Sequence, residues 1–277
     1  MTTQTINISE ILEIRHKVKV ANPLIHCITN PISINDCANV VLAVGAKPIM
    51  AEHPAEVSEI TALSQVLAVN IGNITDVRMQ SMLISGKIAD KKGLPSIIDL
   101  VGVGCSTLRL AFAKKFISKC HPSVIKGNMS ELKAICGCEG KAKGIDVGEH
   151  DAVTNNNLHD SISMLNSLAV KTGAVVVATG VTDIITDGTT IYLVENGCQM
   201  LPLITGTGCM LNALVASFIS TENIIGGTVL AVAVMGISGE LSQRVKGTGS
   251  FRTELLDCIF NLTDYMIKEK IRCTVLA

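Results

Sequence analysis

The stretch Thr205-Gly206-Thr207-Gly208-Cys209-Met210 follows a short apolar run and precedes a segment, 211–219, with the apolar spacing of a helix. Its two glycines allow the backbone to approach a bound group closely, because no Cβ intervenes. The first amides of a helix lack partners within it, and the helix dipole favours negative charge there. The stretch therefore predicts a helix start that holds an anionic group beside a thiol. The alternative is a glycine turn before an ordinary buried helix.

Strands and helices alternate along most of the chain around this stretch. Short apolar strands are predicted at 22–30, 47–50, 66–71, 96–99, 123–126 and 174–178, with an antiparallel hairpin at 183–186 and 190–194. Helices are predicted at 8–20, 34–45, 56–64, 76–91, 108–120, 131–135, 158–172, 211–220, 224–243 and 251–268. This alternation predicts an α/β protein with a largely parallel central sheet and helices on both faces. No linker divides it, so we expect a single domain over residues 1–277, with an exposed loop at 137–157.

Composition excludes several classes of function. The net charge of −1 over 277 residues provides no electrostatic footprint for nucleic acid or an anionic membrane. The longest apolar run, 224–237, is shorter than the roughly 18 residues of a membrane span. Ten cysteines lie without a compact framework, and no apolar signal segment precedes them. We therefore expect a soluble cytoplasmic protein with reduced thiols.

Several residues that could contact a ligand, most of them polar or glycine, lie at or just after the carboxyl ends of apolar runs. In open α/β sheets, ligands bind beyond these ends. The positions concerned are Asn30, Met50, Asp99, Lys126 to Asn128, Thr179 and Gly206 to Cys209. Their coincidence predicts a ligand site at this edge of the sheet.

The residue types suit phosphoryl transfer, which needs mainly positioning and charge neutralisation. Asp99 and Glu131 can supply carboxylate oxygens to Mg²⁺ on nucleotide phosphates. Lys126 can neutralise phosphate charge and Thr179 can donate its hydroxyl. The structural alternatives are a turn residue for Asp99, a solvated first-turn acid for Glu131 and a surface residue for Lys126.

Cys209 is the candidate reactive side chain. A helix N-terminus lowers a thiol pKa, so Cys209 can accept a hydrogen bond or proton from an alcohol against the amides of Gly206 to Gly208. Covalent catalysis is the competing role, and the sequence shows no strong Cys–His pairing for it. Met50 can pack against an apolar ring, or simply fill the core, and Asn30 can line a polar corner of the pocket.

Six segments together resemble the hydroxyethylthiazole kinases, in the family's order across nearly the whole chain. They are Asn22-Pro-Leu-Ile-His-Cys-Ile-Thr-Asn30, Asn35-Asp-Cys-Ala-Asn39, Gly45-Ala-Lys-Pro-Ile-Met-Ala51, Asp99-Leu-Val-Gly-Val-Gly104, Lys126-Gly-Asn-Met-Ser-Glu131 and Thr205-Gly-Thr-Gly-Cys-Met210. The resemblance implies a ribokinase-like fold and ATP-dependent phosphorylation of the hydroxyl of 4-methyl-5-(2-hydroxyethyl)thiazole, a step of thiamin salvage. It also implies a homotrimer with thiazole sites at subunit interfaces.

The resemblance assigns roles residue by residue. Met50 and Gly206 match thiazole-contact positions, with Asn30 beside them, and Lys126 and Thr179 match ATP-contact positions, with Asn128 beside them. Asp99 and Glu131 match the acids of the Mg²⁺–phosphate site. Cys209 stands where most ribokinase-like enzymes have a catalytic aspartate, with Gly206 and Gly208 supplying amides.

Two positions depart from the family pattern. Lys126 stands where arginine is common, which keeps the charge but loses the bidentate fork, so we expect weaker nucleotide binding. Leu100 stands where proline is usual after Asp99, and we expect a looser backbone there. The 137–157 segment is also longer than is typical.

Overall fold

The computed structural model describes residues 3–138 and 157–276, and these form one ten-stranded sheet with helices on both faces. The strands are β1 (Thr3–Thr5), β2 (Leu24–Ile28), β3 (Lys47–Ile49), β4 (Val66–Asn70), β5 (Ser96–Asp99), β6 (Val124–Asn128), β7 (Val175–Thr179), β8 (Asp183–Thr186), β9 (Ile191–Val194) and β10 (Cys273–Leu276). Their order across the sheet is β1-β10-β9-β8-β7-β6-β5-β4-β2-β3. Strands β3, β2, β4, β5, β6 and β7 are neighbours in the sheet and run parallel to one another. Beyond β7, strands β8, β9, β10 and β1 each pair antiparallel with the strand before them in the sheet.

The helices connect the parallel strands and cover them. They are α1 (Ile8–Ala21), α2 (Ile34–Ala43), α3 (Val57–Leu63), α4 (Asp76–Lys92), α5 (Thr107–Cys120), α6 (Met129–Cys136), α7 (Leu158–Thr172), α8 (Thr207–Ile219), α9 (Ile224–Leu241), α10 (Thr248–Asn261) and α11 (Asp264–Lys270). The predicted fold class is confirmed. Residues 139–156 of the predicted loop lie outside the described residues.

Two hydrophobic cores lie on opposite faces of the sheet. Strand β4 is buried at every position, as its nearly continuous apolar run predicted for a strand covered on both faces. Its Ala68 side chain joins the core formed with α1, α2, α8, α9 and α10. Its Val69 joins the core formed with α4 to α7. The start of α8, including Cys209, belongs to the first core. A site at Cys209 is therefore built on this face of the sheet.

Helix α9 packs against α8. Among the described residues it is the one helix long and apolar enough to cross a membrane, and 78% of it is buried inside the protein, as in a core helix. A Cβ on Gly227 would lie only 2.7 Å from the carbonyl oxygen of Phe218 near the end of α8. Glycine at this position therefore permits the close approach that holds α8 in place.

Several sequence predictions of secondary structure differ from the structure. The predicted single helix 251–268 is wrong, because the chain breaks at Leu262 and Thr263 into α10 and α11. The Thr263 hydroxyl accepts a hydrogen bond from the amide of Met266 at 3.2 Å and so caps a new helix. Helix α8 begins at Thr207, four residues before the predicted 211, and β1 and β10 were not predicted.

Candidate active site

A row of buried polar side chains lies at the carboxyl ends of three adjacent parallel strands. Asn70 of β4 is paired in register with Asp99 of β5, and Asp99 with Lys126 of β6. Paired residues point to the same face of a sheet, so all three side chains face α8. Their exposures are 0%, 1% and 3%. Such burial of an amide and two ionisable groups requires that they satisfy one another.

Lys126 and Asp99 form a buried ion pair. The ammonium donates to Asp99 Oδ1 at 2.9 Å, and the Asn70 amide donates to Asp99 Oδ2 at 2.8 Å. Burial alone would lower the pKa of Lys126, but the charge and hydrogen bond of Asp99 outweigh it and raise that pKa. Burial raises the pKa of Asp99, against the opposing effects of Lys126 and Asn70. Lys126 therefore stays charged in a site that also contains the carboxyl groups of Asp99 and Glu131.

Helix α8 begins directly over this row. Its cap residue Gly206 has a φ of +95°, and a Cβ there would lie 3.0 Å from the Ser33 Cβ. The amide of Met210 bonds to the Gly206 carbonyl at 2.8 Å, so the amides of Thr207 to Cys209 are the terminal donors of the helix. A Cβ on Gly208 would lie 3.7 Å from Lys126 Nζ. The predicted anion-holding helix start and the predicted phosphate lysine are thus adjacent.

The Cys209 sulfur is linked to the polar row through Asn70, whose Nδ2 donates to it at 3.3 Å. The pKa of Cys209 is raised, mainly by burial and then by the charge of Asp99, although hydrogen bonding from Ser33, the charge of Lys126 and hydrogen bonding from Asn70 oppose this. The expected lowering by the helix start is therefore wrong. Cys209 is a neutral thiol at neutral pH, which suits an orienting group better than a base.

Glu131 and Asn128 form a capping box at the start of α6. The Asn128 side chain accepts from the Glu131 amide, and Glu131 Oε2 accepts from the Asn128 amide at 2.8 Å. Glu131 Oε1 accepts from the amide of Gly102 at 2.8 Å, in the loop after β5. Burial raises the pKa of Glu131 to about 7, with the charge of Asp99 next in effect. Glu131 is a buried acid that joins two strand-end loops, not the solvated first-turn acid of the structural alternative.

Thr179 lies beside Asn128, its register partner on β6. Its hydroxyl lies 3.5 Å from the carbonyl oxygen of Gly127. The turn that follows is held by Asp183, whose Oδ1 accepts from the Gly180 amide at 2.9 Å. The structure therefore brings Thr179 to the same strand-end edge as Lys126 and Asn128.

Met50 and Asn30 lie on the β2–β3 side of the site. Met50 is half-buried and packs against the core that contains Cys209. Asn30 Oδ1 accepts from the Ile32 amide at 3.1 Å, and the Asn30 carbonyl accepts from the Ser33 amide at 3.0 Å. Asn30 thus shapes the turn that carries Ser33 to Gly206.

The acids fit a divalent cation only through water or nucleotide phosphates. Each oxygen of Asp99 and Glu131 already accepts a hydrogen bond within the protein. Among the described residues no group of three or more His, Cys, Asp or Glu side chains can hold a metal. Mg²⁺ keeps several waters and is commonly bound through one or two carboxylates plus phosphates, which matches this donor set.

Leu100 does not loosen the backbone after Asp99. Its side chain is fully buried, and its amide donates to the Lys126 carbonyl at 2.8 Å. Proline has no amide hydrogen and cannot form this bond. The departure from the family pattern therefore adds a tie between the two strands that carry the ion pair.

Sequence reasoning missed Asn70 and Ser33. The available signal for Asn70 was a lone amide residue at the end of an otherwise apolar strand, next to the predicted edge of the site. Ser33 had no signal in the sequence, because its contact with Gly206 joins segments more than 170 residues apart.

The chain is similar in sequence to hydroxyethylthiazole kinases over most of its length. The model of the hydroxyethylthiazole kinase family matches residues 15–265. Hydroxyethylthiazole kinase 2 of Clostridium botulinum is 64% identical over 261 residues, which cover 94% of this chain and 98% of that protein. A hydroxyethylthiazole kinase protein from Pyrococcus horikoshii OT3 has a solved structure with a TM-score of 0.87 at 28% identity, covering 97% of this chain and 100% of that chain.

A more distant structure shows how widely the fold is shared. A ribokinase-like superfamily protein from Enterococcus faecalis has a TM-score of 0.60 at 12% identity, covering 94% of this chain and 98% of that chain. This likeness concerns the fold alone. With the family match over most of the chain, it identifies the protein as a member of the hydroxyethylthiazole kinase family with a ribokinase-like fold.

Proposed function

We propose that the protein transfers the γ-phosphoryl group of ATP to the hydroxyl of 4-methyl-5-(2-hydroxyethyl)thiazole at the start of α8. The observation that carries this proposal is the buried row of Asn70, Asp99 and Lys126 beneath the terminal amides of a helix whose third residue is Cys209. Amides and an ammonium that converge on one point stabilise charge on a transferring phosphoryl group.

The nucleotide lies along the β6–β7 side of the site. Lys126 neutralises phosphate charge, the Thr179 hydroxyl donates to a phosphate oxygen, and Asn128 lines the same edge. Asp99 and Glu131 would hold Mg²⁺ together with the nucleotide, and the bound ion would neutralise phosphate charge. In its absence about half of the Glu131 carboxyl groups are protonated at neutral pH, since burial raises the pKa of Glu131 to about 7.

The thiazole alcohol lies on the opposite side, between Met50, Asn30 and Gly206. The Cys209 sulfur orients its hydroxyl toward the γ-phosphorus. The alcohol oxygen forms a bond to that phosphorus as the bond to the bridging oxygen of ADP breaks, and the hydroxyl proton leaves with an oxygen of the transferred group. Because Cys209 stays protonated, its contribution is alignment, which suits a reaction that needs little covalent help from the protein.

The proposal extends to a cytoplasmic homotrimer with shared thiazole sites. Two exposed apolar side chains support it: Ile32 and Leu203 are each 64% exposed and lie on the two loops that meet at Ser33 and Gly206. Exposed apolar groups beside a ligand site are typical of an interface that completes the site. Sedimentation equilibrium measures the assembly directly.

Mass spectrometry tests the reaction. Purified protein with Mg-ATP and the thiazole alcohol should yield the phosphorylated alcohol and ADP in equal amounts. Competition with a pyrimidine alcohol identifies the preferred ring. Calorimetric binding of the thiazole without any product would instead identify a sensor and refute the proposal.

A further inference from the structure

The side chain of Asn70 joins the two halves of the site. Its Oδ1 accepts from the Gly72 amide at 2.9 Å, which fixes the orientation of the side-chain amide. Its Nδ2 therefore carries both hydrogens, and donates one to Asp99 Oδ2 at 2.8 Å and the other to Cys209 Sγ at 3.3 Å. Asn70 is fully buried and every one of these bonds is made within the protein.

This arrangement constrains the thiol. The sulfur receives a hydrogen bond from Asn70 on the side of the Lys126–Asp99 pair, and it also has hydrogen bonding from Ser33. These two contacts set the direction of the face that remains for the bound alcohol. The amide also sets the spacing between the sulfur at the start of α8 and the carboxylate on β5. A displacement of about 1 Å between reacting groups can cost on the order of a hundredfold in rate.

We propose that Asn70 is a positioning residue for the kinase reaction, which holds the Cys209 sulfur in line with the Lys126–Asp99 pair so that the bound alcohol faces the phosphoryl group. The inference rests on the proposed role of Cys209 as the group that orients the alcohol. Asn70 does not touch the substrate and acts through the thiol.

A nearby buried amide shows what a merely structural asparagine does here. Asn212 lies on α8 three residues after Cys209, is 2% exposed, and donates to the Val69 carbonyl at 3.4 Å. Its Oδ1 has no partner among the described residues. Asn212 thus links α8 to β4, as Asn70 does, but its hydrogen bond goes to neither the Cys209 sulfur nor Asp99. Its replacement is therefore a matched control.

The test compares Asn70→Ala with Asn212→Ala by steady-state kinetics on full-length protein. We expect Asn70→Ala to lower kcat by roughly 10- to 100-fold with little change in KM for the alcohol, because alignment is lost while binding is kept. Asn212→Ala should change kcat by less than about threefold. Circular dichroism confirms folding, and Asn70→Ser replaces Asn70→Ala if the alanine variant does not fold.

A double-mutant cycle separates action through the thiol from action through Asp99. In a Cys209→Ala background we expect Asn70→Ala to cost less than about threefold in kcat, since neither a sulfur nor a hydroxyl remains for Asn70 to position. An undiminished effect in that background, or equal effects of the two asparagine variants, overturns the inference. Failure of the wild-type protein to form any phosphorylated alcohol would instead count against the proposed function.

Discussion

Replacing Lys126 by methionine removes the ammonium that is paired with Asp99 and keeps most of the side-chain volume. Both partners are almost inaccessible, with side-chain exposures of 4% for Lys126 and 2% for Asp99, and their charged atoms are 2.9 Å apart. Without Lys126, the Asp99 carboxylate keeps only the neutral Asn70 donor. A buried charge without its counterion is far less favourable than the intact pair.

The expected loss is large for a single substitution. Breaking a buried pair by removing one partner costs about 3–5 kcal/mol, because the remaining charge stays desolvated and uncompensated. The double variant Lys126→Met/Asp99→Asn removes both charges, and its unfolding free energy should return to within about 1–2 kcal/mol of wild type. Neither variant should phosphorylate the thiazole alcohol at an appreciable rate.

Urea denaturation followed by far-UV circular dichroism, at neutral pH and without Mg²⁺ or nucleotide, measures these free energies. Lys92→Met is the matched control, because the exposed Lys92 ammonium at the end of α4 donates to the Ala62 carbonyl of α3 and faces no carboxylate among the described residues. It should change the unfolding free energy by less than about 0.5 kcal/mol. A loss below about 1 kcal/mol for Lys126→Met, or no recovery in the double variant, would refute the reasoning from an uncompensated buried charge.

Substitutions at three further positions test other parts of the site and the fold. Cys209→Ser should keep the fold and reduce phosphorylation without abolishing it. Cys209→Asp should retain or raise activity, because a carboxylate is a better hydrogen-bond acceptor for the alcohol. An aspartate variant that binds both substrates by calorimetry yet forms no product contradicts the role of residue 209 in orienting the alcohol. Gly206→Ala should destabilise the protein by about 1–3 kcal/mol in thermal or urea unfolding, since φ is +95° and the new Cβ lies 3.0 Å from that of Ser33, and an unchanged midpoint would exclude strain there. Burial lowers the pKa of His26 in the folded protein below its unfolded value of about 6.5, so the unfolded chain takes up a proton at this residue first as pH falls. The stability that neutral His26 contributes is present above its unfolded pKa and is lost as pH falls through the folded pKa. Unfolding free energies between about pH 5 and 7.5 should therefore fall more steeply in wild type than in His26→Gln, and equal slopes would exclude this source.

Local pattern decided much of the fold. Apolar runs bounded by turn residues located the parallel strands and most helices, because burial on both faces requires a continuous apolar strand. The terminal strands β1 and β10 were missed, since pairing with each other and with β9, and not their own short sequences, makes them strands. The break at Leu262 was missed because the apolar spacing continues across it, while the Thr263 cap competes with helix continuation.

The site divides in the same way. Local patterns in the sequence were enough to place particular residues at strand ends. Asp99, Lys126, Thr179 and the glycines before Cys209 were found because carboxyl ends of parallel strands share one edge. The bridge from Asn70 to Asp99 and Cys209, and the raised pKa of the thiol, became visible in the folded structure alone. Both depend on register and burial across segments far apart in the chain, and the energy of a buried charge is set by the neighbours the fold assembles around it.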